Sequence, residues 1–194
     1  MSTAQASRLR RSPEQARAHI LAAAEAVLVE RGPLALKLAD VAAAAGVANG
    51  TVLHHFGGID TLHAALMDHM VDQLVADILA ISSRAPPDAV TEGAVAALFD
   101  VFETRGAARL AAWLELTGEW RRLTRVRKAV RDVVAQRAAR GDVDAAEAED
   151  LILVAVMMAM GAGLFGRSLS QLVGKPAGRA RELAAALLRA QQAG

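Results

Sequence analysis

The sequence predicts an all-α protein, and three observations carry that expectation. Hydrophobic residues make up 54% of the 194 positions but aromatics only 3%, so Ala, Leu and Val supply the apolar content. Ala and Leu are among the strongest helix formers. Apolar residues also recur at three- and four-residue spacing over long stretches, the period of one helix face. The five prolines stand outside those stretches, so little interrupts long helices.

The first helix starts at Ser12-Pro13-Glu14-Gln15, where Ser12 caps, Pro13 suits the first helical position and Gln15 completes a capping box. Ile20, Ala23, Ala24, Val27 and Leu28 then recur at helical spacing, and Gly32-Pro33 ends the run. A short helix follows from Leu38 to Ala45 with Gly46 as its stop. Another runs from near Asn49 to Phe56, where Gly57-Gly58 breaks the chain. A longer helix is expected over 59–81, with Leu62, Leu66, Met70, Leu74 and Ile78 on one face. The turn Arg84-Ala-Pro-Pro87 is the best candidate boundary. Helices are expected beyond it near 88–104, 106–117, 119–140, 144–172 and 176–192, which makes nine. Asp144 with Glu147 forms a second capping box, and Gly174-Lys-Pro176 separates the last two helices.

The formal net charge of +1 gives no overall bias toward nucleic acid, but the charge is unevenly spread. Arg8, Arg10, Arg11 and Arg17 face only Glu14 in the first twenty residues, and 119–140 is also basic. The absence of cysteine excludes disulfides, thiolate metal sites and a Cys nucleophile. His54, His55, His63 and His69 are the densest histidine cluster. Bringing them to one point needs two helices, so core packing or DNA contact is the preferred reading, and no metal or cofactor is expected. No Ser-His-Asp grouping appears, and an enzyme is not expected. Gly161-Ala-Gly163-Leu-Phe-Gly166 has a G-x-G-x-x-G spelling but sits inside a helix and follows no strand, which points to close helix packing. The N-terminus lacks an apolar signal region. The uncharged stretch from Leu151 to Gly166 is short for a membrane span, so a soluble cytoplasmic protein without a membrane partner is expected.

Function concentrates in residues 37–56. A short helix, a turn containing Gly46 and a second short helix form a helix-turn-helix layout. Val41 and Ala42 face inward, Ala45 is small where helices cross, Val47 plugs the corner, and Val52 and Phe56 anchor the second helix. Asn49, Gly50, Thr51, Leu53, His54 and His55 are left outward, together with Ala48 at the helix start. Small and polar groups at a helix N-terminus suit the major groove. The expected DNA-contacting set is Arg10, Arg11, Lys37, Ala48, Asn49, Gly50, Thr51, Leu53, His54 and His55.

This stretch sits in a longer frame that resembles the TetR family of repressors. The matching elements are Ile20-Leu-Ala-Ala-Ala24, Gly32, Asp40-Val-Ala42, Gly46-Val47, Gly50-Thr51, His55-Phe56 and Leu62, in order and with the family's spacing over roughly residues 17 to 66. The resemblance implies a dimeric repressor released from a near-palindromic double-stranded operator by a small-molecule effector. Departures stand at Leu36, Lys37, Ala48, Leu53 and Ile59, where the family usually has Thr or Ser, Ser, Tyr and Lys. They remove side-chain caps worth about 1 kcal/mol each, as well as phosphate-facing groups. Asn49 is expected to cap one residue late, with Lys37 meeting phosphate. The alternative is a ligand-binding or protein-interaction module of the same fold with weak or lost DNA binding.

The domain division expected is 12–58 for the DNA-binding head and 59–194 for ligand binding and dimerisation, with 59–81 as linker. Leu66, His69, Met70, Gln73, Phe99, Phe102, Trp113 and Met158 are the expected effector lining, suited to a hydrophobic or aromatic molecule. His69, Gln73 and Asp77, at i, i+4 and i+8, are candidate polar anchors. Trp120-Arg-Arg-Leu-Thr-Arg-Val-Arg-Lys128 is read as one basic amphipathic helix with a solvated charged face. Leu151 to Gly166 is apolar nearly all round, so it and the last helix are expected to form a homodimer interface through Met157, Gly161, Leu164, Leu183 and Leu187.

Overall fold

The computed structural model describes residues 12–84, 87–139 and 145–192. The elements are α1 (Pro13–Arg31), α2 (Leu38–Ala45), α3 (Asn49–Phe56), α4 (Ile59–Arg84), α5 (Pro87–Phe99), α6 (Ala107–Leu116), α7 (Thr124–Ala139), α8 (Ala145–Gly161 and onward) and α9 (Arg179–Gln192). Short 3-10 turns occupy Pro33–Ala35 and Glu119–Arg122, and no strand occurs among the described residues.

Helix α1 begins as its capping residues require. Gln15 N donates to Ser12 Oγ at 3.2 Å, and Ser12 N donates to Gln15 Oε1 at 2.9 Å. Ile20, Leu21, Ala24, Val27 and Leu28 form its buried face. That face packs on α2, on α4 and, through the loop after α1, on α6. The core running from Ile20 through Phe56 and Leu66 to Leu188 is one connected cluster, so the head shares its apolar interior with the body.

Three boundaries differ from expectation, and two further helices keep their expected ends but contain π-helical turns. The segment expected as one helix over 119–140 divides, because Gly118 takes a left-handed conformation (φ 76°) and the 3-10 turn Glu119–Arg122 precedes a fresh start at Thr124. Trp120 and Lys128 therefore lie on different elements. Helix α4 runs on to Arg84 rather than stopping at 81. Helix α5 continues through a π-helical turn, Asp100–Thr104, and α8 through another, Ala162–Gly166, before ending with Arg167–Leu172. Helix α9 starts at Arg179, three residues after Pro176. The capping box at Asp144 lies outside the described residues.

The two π turns meet each other, and Gly163 is the reason they can. A Cβ on Gly163 would stand 2.7 Å from Phe102 O and 2.7 Å from Ala108 Cβ. Gly166 likewise faces Ala180 of α9, at 3.3 Å for a Cβ. The close packing expected of the glycine run is thus found at Gly163 and Gly166. Gly161 is exposed, with nothing within 4 Å of its Cβ position.

The stretch expected to be too short for a membrane continues as helix to Leu172. The run Glu149–Leu172, 24 residues, is long and apolar enough to cross a membrane by length and composition, and 17% of its most apolar window is buried within one chain. Its inward side carries the buried Ala159, Ala162, Gly166 and Ser170, so it is part of the same core as α4 and α6. Leu153, Met157, Phe165 and Leu169 are exposed at four-residue intervals, with Gly161 filling the gap in the row. Leu183 and Leu187 of α9 are exposed as well, whereas Leu164 is half-buried against the core of its own chain.

Candidate DNA interface and the head–body junction

Helices α2 and α3 form a helix-turn-helix. Gly46 is left-handed (φ 65°, ψ 33°), and Val47 N reaches back to Ala42 O at 3.0 Å, which reverses the chain within four residues. Val41, Ala42, Ala45, Val52 and Phe56 are buried, fixing which side of α3 faces out. Asn49, Gly50, Leu53 and His54 are exposed, Thr51 and His55 half-buried, and Lys37 and Ala48 exposed at the starts of α2 and α3. Eight of the ten expected DNA-contacting residues thus lie exposed or half-buried at the start of α2 and along α3. Arg10 and Arg11 lie outside the described residues.

Two ties from α1 hold α3 and α2 in place. The Arg17 guanidinium stacks over the Phe56 ring at 4.3 Å and donates to His55 O at 2.9 Å. The His19 ring nitrogen Nε2 bonds Ala45 O at 2.9 Å. The expectation that Asn49 caps α3 is corrected. Ala48 occupies the cap position, Asn49 is the first helical residue, and neither α2 nor α3 has a side-chain cap. Their first N–H groups are therefore left for water or an anion. Leu36 is buried (2% exposed), so it serves the core where the resemblance places a polar residue. Burying a leucine contributes about 1.5–3 kcal/mol, which outweighs the cap of about 1 kcal/mol that is missing.

Residues 20–66 match the family model for bacterial regulatory proteins of the tetR family. Over these residues the chain is similar to the TetR family. The HTH-type transcriptional repressor Rv3405c of Mycobacterium tuberculosis is 38% identical over 93 residues. That match takes in 46% of this chain and about half, 48%, of the relative. Two solved structures share the fold across nearly the whole chain. A transcriptional regulator from Rhodococcus sp. Rha1 is 23% identical with TM-score 0.65, covering 92% of this chain and 96% of that one. RolR in complex with resorcinol is 19% identical with TM-score 0.53, covering 89% and 94%. The curated relatives are named as transcriptional regulators or a repressor of the HTH type.

In the helical body the residues expected to line an effector site converge on one core. Leu66, Met70 and Phe99 are fully buried, Phe102 nearly so, and Met158 is half-buried against them. Trp113 is half-buried and meets the His63 ring edge-on, with centroids 6.3 Å apart. Two surface clefts lie elsewhere, one along α7 at Lys128 and Arg131, the other between α4, α5 and α9 at Asp77, Ile81, Gly93, Asp100 and Arg181. The core set is packed rather than opened. Of the candidate polar anchors, His69 and Gln73 bond each other at 3.0 Å, while Asp77 is exposed at the α4–α5–α9 cleft.

Sequence reasoning missed the junction between head and body. Arg105, just past the first π turn, grips Glu25 of α1 with Nε at 2.5 Å and Nη2 at 2.9 Å. The same Nη2 donates to Gln73 Oε1. The hydrogen bond to Glu25 strengthens the hold of Arg105 on its proton, against the opposing effect of burial. Arg109 Nη2 adds a bond to Val29 O at 3.1 Å. One signal was legible, since Glu25 lies four residues after Leu21 and three before Leu28, on the margin of the apolar face. A carboxylate there calls for a partner. Nothing local marked Arg105, eighty residues away, as that partner.

Of the two roles open to His63, core packing and DNA contact, the structure shows packing: it is 4% exposed, and its Nε2 has no hydrogen-bond partner. Burial lowers its pKa from the ordinary 6.5, opposed by the Asp60 charge and a backbone hydrogen bond with Leu36. The folded chain thus binds this proton less well than the unfolded chain. Its contribution to stability is whole above about pH 6.5 and is lost as pH falls from there toward the lowered folded value. Thermal unfolding should therefore show Tm decreasing from about pH 7.5 to about pH 5, with a shallower slope in His63→Leu. Equal slopes in parent and variant would show that another group carries the acid sensitivity. Among the described residues, no three His, Asp or Glu side chains are grouped to hold a metal ion.

Proposed function

We propose that the chain is a dimeric transcriptional repressor, acting in the bacterial cytoplasm, that leaves its operator when a small hydrophobic or aromatic molecule enters the body. The observation that carries the DNA part is the outward face of α3. Gly50, Leu53 and His54 stand clear of the core, with Thr51 beside them and the starts of both α2 and α3 free of a side-chain cap. That end offers N–H groups to phosphate and short side chains to base edges. The exposed row on α8 with Leu183 and Leu187 supports a two-fold pair of chains, which sets the spacing of two recognition helices. Leu66, Met70, Phe99, Phe102 and Trp113 support the effector class, as does the aromatic ligand named for RolR. Such a molecule must bind the released state more tightly than the DNA-bound one to act.

Mobility shifts with genomic duplexes, including the one upstream of the chain's own gene, test the DNA reading. Thr51→Ala and His54→Ala should each weaken specific binding by about 1–3 kcal/mol with unchanged helix content. Failure of the parent to retain any duplex would leave a module of the same fold without DNA binding.

A further inference from the structure

We propose that Glu25, Arg105, Gln73 and His69 form a latch that holds the DNA-binding head in one orientation on the body, with Arg105 as its positioning residue. The inference rests on the repressor reading for its purpose but not for its geometry. Glu25 belongs to α1, the helix that anchors α2 and α3 through His19 and Arg17. Arg105 belongs to the body, where its N–H closes the π turn on Asp100 O at 3.0 Å and left-handed Gly106 (φ 84°) follows it. Gln73 and His69 belong to α4, on the helix that also carries buried Leu66 and Met70. One chain of hydrogen bonds thus joins the head, the connecting helix and the edge of the effector core.

The pair is two-pronged and largely screened from water, with side chains 21% and 18% exposed for Arg105 and Glu25. An exposed pair is easily replaced by water, whereas removal of one partner here leaves the other charge poorly solvated. The chain also has a fixed polarity. A guanidinium only donates, so Gln73 must turn Oε1 toward Arg105, and its amide nitrogen then points to His69. His69 Nε2 must accept that bond, which places its ring hydrogen on Nδ1. Reversing the Gln73 amide would set donor against donor at Arg105. A ligand that donates a hydrogen bond to His69 Nε2 competes with Gln73 and loosens the latch from the core side.

The test uses the full chain and needs no DNA for its first reading. Amide hydrogen exchange is compared for parent, Arg105→Gln, Arg105→Lys, Glu25→Gln and the swap Glu25→Arg with Arg105→Glu. Loss of either partner should speed exchange in α1, α2 and α3 about tenfold or more, while α8 and α9 keep parental rates. Arg105→Lys, which retains charge but not the two-pronged grip, should fall between, and the swap should return exchange toward the parent. Affinity for a retained genomic duplex should follow the same order, a ranking that mere core support would not produce. Head exchange unchanged in both Arg105→Gln and Glu25→Gln, or a swap as loose as they are, overturns the latch. Loosened heads in a chain that binds no duplex would uphold the latch and refute the repressor reading instead.

Discussion

Gly163→Ala is expected to destabilise the chain by about 3 kcal/mol, the upper end of what one added methyl costs in a packed interior. The reason is the nature of what the methyl meets. Ala108 Cβ is a side-chain atom on a buried helix, and Phe102 O is backbone in a π turn, each 2.7 Å from the new carbon. Neither is the free end of a flexible side chain, so the two turns must separate. Phe102 and Phe99 stand beside that contact, and their packing would be disturbed with it. For a chain of this length the loss corresponds to roughly 6–12 °C in Tm, readable by calorimetry. Gly161→Ala is the control. Its Cβ meets nothing within 4 Å, and replacing a helical glycine by alanine gains up to about 1 kcal/mol. A Gly163→Ala variant as stable as the parent would mean that the two π turns do not pack as described.

The double variant Met157→Asp, Leu187→Asp is expected to run as a single 20.3 kDa chain in light scattering. Both side chains are exposed, so the folded chain itself should tolerate the change. Two carboxylates per chain placed in a closed apolar contact would have to be buried without partners, and each is repeated by the two-fold axis. Affinity for an operator should fall by about 10²–10⁴, because a lone head keeps one half-site and loses the effective concentration of the second. Gly161→Leu, open within its own chain, should disturb the pair for steric reasons alone. A dimer unaltered by all of these would place the interface elsewhere.

Local chemistry made most of the head legible. Ser12 and Gln15 cap one another within four residues, Gly46 turns the chain because only glycine readily takes φ 65°, and Val52 and Phe56 bury themselves one helical turn apart. Such signals lie within a few residues of each other, and a sequence displays them in order. The continuation of α5 and α8 through π turns left no comparable mark, because those distortions answer to the helix packed against them.

Local pattern in the sequence therefore marks most of the helices, the reversal at Gly46, the outward face of α3 and the two-sided apolar character of α8. Packing between distant elements is what gives Gly163 a contact inside the chain while Gly161 stays open, and what seals His63 against Trp113. It alone joined Arg105 to Glu25. Each of these depends on residues tens of positions apart meeting at van der Waals or hydrogen-bond distance. Helical periodicity sets which way a side chain points along its own helix, but not what the packing brings in front of it.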